Sequence, residues 1–104
     1  MDFKPTIFVV EVNGEEYRFA AMTQREMEKL VESETAAGAD QAQLKKVNRE
    51  MLATVLTRGG MEGVTAEEIA EKMPTPVYRA LLAAVMQAQG VKLEAKSKGE
   101  LSLS

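Results

Sequence analysis

The sequence predicts an α+β fold: an N-terminal β-hairpin packed on three to four α-helices in a single domain. Three observations carry this expectation. Asn13-Gly14 sits between two runs rich in β-branched and aromatic residues. Three segments then open on Thr or Asp with Glu or Gln three residues later, at Thr23, Asp40 and Thr65. An apolar stripe at three- and four-residue spacings runs from Leu44 to Leu56. A chain of 104 residues has room for one domain and one modest core. Its 45 % hydrophobic and 28 % charged residues are ordinary for a globular protein.

The hairpin is expected over 6–20. Asn-Gly suits a two-residue type I′ turn because both positions need positive φ. A turn at Asn13-Gly14 sets Val12 opposite Glu15, Val10 opposite Tyr17 and Phe8 opposite Phe19. Phe8, Val10, Tyr17 and Phe19 then share a core face, while Val9, Glu11, Glu16 and Arg18 take the other side. A lone hairpin is marginal in water, so helices must cover that face.

The first helix is expected over about 24–34, opened by a capping box at Thr23-Gln-Arg-Glu26, with Met22 and Met27 placed as a hydrophobic staple. Thr35 to Ala39 reads as a linker. The second helix, about 41–58, starts at Asp40 with Gln43 in the box position. It carries Leu44, Val47, Met51, Leu52, Val55 and Leu56 on one stripe and stops at Gly59-Gly60. A third capping box at Thr65-Ala-Glu-Glu68 opens a short helix, about 66–73, with Ile69 and Met73 inward and Pro74 closing it. Pro76 suits the first turn of a fourth helix, about 76–89, lined by Val77, Leu81, Leu82, Val85 and Ala88. Residues 1–90 thus form the domain. Residues 91–104, where apolar and polar positions alternate, read as a flexible tail or a weak second hairpin around Lys96 to Gly99.

Composition narrows the function. Neither Cys nor His occurs, which removes disulfides, thiolate metal sites, the commonest general base and the strongest nucleophile. The paired carboxylates Glu15/Glu16, Glu26/Glu28, Glu32/Glu34 and Glu67/Glu68/Glu71 fall in first helical turns or on polar faces, where they offset helix dipoles. Gly59-Gly60-Met61-Glu62-Gly63 lacks the Lys-Ser/Thr of a phosphate loop and follows a helix, not a strand. No catalytic, cofactor-binding or metal-binding residues are expected, and the chain is not read as an enzyme. The net charge of −3 offers no general attraction to nucleic acid or anionic membrane. The longest apolar runs are too short to span a bilayer, and no signal peptide is visible at Met1 to Pro5, which favours the cytoplasm.

Seven methionines in 104 residues suit a surface that accepts several partner shapes. Met22, Met27, Met51 and Met86 read as core fillers, whereas Met61 and Met73 flank the Gly-rich loop and the Pro74 break. The nominated partner-binding groove is therefore Met61, Val64, Met73, Val77 and Tyr78. Charge is uneven as well. Residues 11–40 hold eight acidic and three basic side chains, and the second helix carries Lys45, Lys46, Arg49 and Arg58 against Glu50 alone. This asymmetry suits either head-to-tail contacts between copies or two solvated faces.

Two resemblances bear on function. Thr65 to Met73 followed by Val77 to Leu81, with Val91 to Leu103 as a wing, resembles a winged helix-turn-helix, which implies a DNA-binding regulator. Against it, the turn is about three residues short and the recognition helix 77–89 carries one basic residue, Arg79. The stretch from the hairpin to Gly90 resembles small tail assembly chaperones of long-tailed bacteriophages and prophages. The features that match are the opening strand with Asn13-Gly14-Glu15-Glu16-Tyr17-Arg18-Phe19, the threonine-started helix at Thr23 and the longer helix ending at Gly59-Gly60. Val64-Thr-Ala-Glu-Glu-Ile-Ala followed by Met73-Pro74 and an Ala/Leu/Val helix that stops at Gly90 completes the match. This resemblance implies binding to the tape measure protein, keeping its apolar helices soluble in the host cytoplasm until tail subunits polymerise. It also implies contact with the tail tube protein, self-association, and a longer form made by ribosomal frameshifting.

Overall fold

The computed structural model describes residue 4, residues 6–90 and, as backbone strands, 95–97 and 100–102. Strands β1 (Ile7–Val12) and β2 (Glu15–Ala20) form the expected hairpin. The turn residues Asn13 and Gly14 have φ of 52° and 83°, as a type I′ turn requires. The register is the one the turn dictates, Phe8 opposite Phe19 and Val10 opposite Tyr17. The Phe8 and Phe19 rings stack with centroids 5.2 Å apart, and both are buried.

Helices α1 (Gln24–Ala37), α2 (Gln41–Arg58), α3 (Ala66–Lys72) and α4 (Thr75–Gly90) follow in order. Helix α1 runs three residues beyond its expected end at 34. Ala36 and Ala37 are strong helix formers, so the helix continues until Gly38 (φ 58°) closes it with its N–H on the Glu34 and Thr35 carbonyls. The capping box at Thr23 is complete: Glu26 N–H donates to the Thr23 hydroxyl and Thr23 N–H to the Glu26 carboxylate. At α2, Asp40 accepts from Gln43 N–H, but its own N–H goes to the Ala37 carbonyl and so needs no side-chain acceptor. Helix α4 starts one residue earlier than expected, at Thr75. Pro76 lies in its first turn, where a missing N–H costs nothing.

The sheet is larger than a hairpin. Strands β3 (Ala95–Ser97) and β4 (Glu100–Ser102) pair antiparallel, and β4 lies parallel beside β1, giving the order β2-β1-β4-β3. The chain therefore returns after four helices to flank its first strand. Residues 91–94, 98–99 and 103–104, part of the expected tail, lie outside the described residues.

The core joins Phe8, Val12 and Phe19 of the hairpin to Leu52, Val55 and Leu56 of α2, Ile69 of α3, and Val77, Leu81 and Val85 of α4. No buried side-chain polar atom among the described residues lacks a hydrogen-bond partner. Gly59 brings the end of α2 against β2 so closely that a Cβ there would sit 2.6 Å from both the Arg18 carbonyl oxygen and the Phe19 Cα.

Candidate functional site

Helix α2 folds back along α1, and side chains three and four residues apart line the seam between them. Leu30 of α1 and Met51 and Val55 of α2 form an apolar floor. Half-buried Met22 and Val47 make the walls, and Lys29, Ser33, Glu50 and Thr54 the exposed rim. The groove between them has a volume of about 280 Å³. Its composition, apolar below and charged at the edge, suits insertion of apolar side chains.

One end of the groove is tied by an ion pair. The Arg58 guanidinium, at the last residue of α2, donates to both Glu26 carboxylate oxygens, at 2.7 and 2.5 Å. This bidentate contact, helped by the Thr23 N–H, outweighs partial burial and holds the Glu26 carboxyl at about 2, well below its ordinary value. Next to this end, the Met22 N–H donates to Gln89 Oε1 of α4 at 3.3 Å. The chain between β2 and α1 is thereby pinned to the last helix.

The residues nominated from sequence fall differently. Val64 and Met73 share a shallow depression of about 230 Å³ with Tyr17, Glu68, Ile69, Lys72 and Pro74. Met61 and Tyr78 are half-buried against the core and do not line it. Val77 is a core residue, 6 % exposed, because the first turn of α4 aims it inward with Leu81; it offers nothing to a partner. The methionines also sort differently from expectation. Met86 is 40 % exposed on α4, not a core filler, whereas Met61 and Met73 are only half-exposed.

The hydroxyl of Tyr17 donates to Glu15 at 3.3 Å, and its pKa is raised by burial first and the neighbouring carboxylate second. Burial likewise raises that of Tyr78, with Arg49 opposing. No group of three or more carboxylates that could hold a metal ion occurs among the described residues. None of their helices is long and apolar enough to cross a membrane. The outward face of α4 presents Arg79, Ala83, Met86 and Gln87, with one cation among them, while Val77, Leu81, Ala84, Val85 and Ala88 are spent on the core. A helix that reads a DNA groove needs several donors on its free face.

No protein-family model, curated protein or solved structure matches the chain.

The α1–α2 groove was not among the sites nominated from sequence. A signal for it was present in two rows at three- and four-residue spacing, Glu26-Leu30-Ser33 and Val47-Met51-Val55, which place side chains on single helix faces. That these rows face each other depends on the connection 38–40 folding α2 back along α1.

Proposed function

We propose that the chain is a tail assembly chaperone of a long-tailed bacteriophage or prophage, which binds the tape measure protein and keeps its apolar helices soluble during tail assembly. The observation that carries this reading is the α1–α2 groove, with its floor of Leu30, Met51 and Val55 and its charged rim. An amphipathic helix docks by laying side chains spaced three and four residues apart into such a groove. Met22 and Met51 add adaptability, since an unbranched thioether refits to different ligand side chains. Exposed Val31 on α1 and Met86 on α4 supply further apolar surface, suited to contacts between copies or with a tail tube subunit.

The test is coexpression with the tape measure protein encoded by the same phage or prophage. The expected result is a soluble complex, from which Val47→Asp at the groove wall removes most of the tape measure protein. Met61→Asp with Met73→Asp separates the two candidate surfaces, because these positions lie outside the groove. A tape measure protein equally insoluble with and without the chain would overturn the proposal. Tight, salt-sensitive DNA binding in gel shifts would favour the winged-helix reading instead.

A further inference from the structure

We infer that α1 is a detachable lid, undocking from α2 as one cooperative unit while the sheet, the inner part of α2, α3 and α4 stay folded. This deepens the chaperone reading by naming what controls access to its groove.

The first ground is the distribution of burial. Helix α1 has 14 residues and buries a single side chain, Leu30, while Val31 on the same helix is 55 % exposed. Helix α2 buries five, all between Met51 and Leu56, where it meets the sheet and α4. The packing of α1 is chiefly against α2, so its attachment to the rest is mainly one helix seam. A 14-residue helix released from such a seam is marginal by itself and loses its structure on leaving. Segments with few buried apolar contacts open at lower cost than the global unfolding.

The second ground is the fastening. Bidentate Glu26–Arg58 and the Met22–Gln89 hydrogen bond both lie at the N-terminal end of α1. The other end runs into Gly38, whose φ of 58° marks a break between the helices. The third ground is what α1 covers. Met51 and Val55 line the groove but are 8 % and 0 % exposed, so undocking of α1 widens the apolar face of α2 that a partner helix can reach.

The test is native-state hydrogen exchange on the unmodified protein in rising urea, without any partner, so that it can fail independently of the chaperone reading. Amides of α1 are expected to share one denaturant-sensitive opening well below global unfolding, while those of Leu52–Leu56 exchange only by global unfolding. Val85→Ala damages a part that stays folded when the lid opens. It is expected to speed exchange at 52–56 by about tenfold, from the methyl groups lost, and to leave α1 unchanged. Arg58→Gln removes the latch and is expected to speed α1 exchange about three- to fivefold. Acceleration of α1 by Val85→Ala to the same degree as 52–56 would overturn the inference. So would α1 exchange with no urea dependence, which marks residue-by-residue fraying.

Discussion

Replacing Gly59 by Ala separates two physical effects that point in opposite directions. The backbone there is right-handed helical, φ −76° and ψ −6°, so alanine adopts it freely. Considered alone, the change lowers the entropy of the unfolded chain and stabilises by about 0.4–1 kcal/mol. The tertiary contact opposes it. A Cβ at this position would lie 2.6 Å from the Arg18 oxygen, 2.6 Å from the Phe19 Cα and 2.8 Å from the Arg18 carbonyl carbon, all backbone atoms that cannot rotate away. Contact at ordinary van der Waals distance requires the end of α2 to retreat from β2 by about 0.8 Å. That retreat loosens Phe19, Leu52 and Leu56, each fully buried. Overpacking of this kind costs about 1–3 kcal/mol, and a clash against backbone belongs in the upper part of that range. The net expectation is a loss of about 1–2 kcal/mol, or a Tm lower by roughly 4–16 °C for a domain of this size. Urea and thermal unfolding followed by circular dichroism measure it. Gly38→Ala is the comparison, since that site has φ of 58° and open space around it, so its penalty is conformational alone. A Gly59→Ala protein as stable as the parent, or more so, would refute the close approach of α2 to β2.

Three further outcomes follow from the same structure. Because the Glu26 carboxyl is held at about 2, the Glu26–Arg58 contact contributes stability that is fully present above the ordinary carboxylate range. It is lost as pH falls from about 4.5 through about 2. The pair is about a third exposed, which limits that contribution to roughly 1 kcal/mol, so the stability advantage of the parent over Glu26→Gln should vanish across this acid window. Thr23→Ala removes one half of the capping box and is expected to lower stability by about 1 kcal/mol in urea unfolding. Phe8→Ala leaves a cavity beside the stacked Phe19 ring and is expected to cost about 3–5 kcal/mol, enough to leave an unfolded fraction visible by circular dichroism at 37 °C.

What was legible in the sequence was local. The hairpin register followed from two residues, because Asn13 and Gly14 are the pair that accepts positive φ at adjacent positions. Helix starts followed from Thr23, Asp40 and Thr65, because a cap is satisfied by a donor two or three residues away. The end of α1 was less legible, since Ala36 and Ala37 carry no stop signal until Gly38. For the candidate site, the sequence pointed to methionines beside the chain breaks at 59–64 and 73–76. The groove lies between α1 and α2, and four of its residues, Met22, Val47, Met51 and Val55, had been read only as core filler or helix stripe.

By itself the sequence determined the fold class, the hairpin with its pairing, and the helix starts in order. Each rests on interactions among residues close along the chain. Only the tertiary structure decided that β4 lies parallel beside β1, that Gly59 serves a close approach as well as a helix stop, and that Val77 is core while Met86 is surface. It also decided that the seam of α1 and α2 forms the groove. These outcomes depend on which faces meet after distant segments pack together. A side chain's periodicity fixes its helix face, but whether that face meets another element or water is settled only by the packing of the whole core.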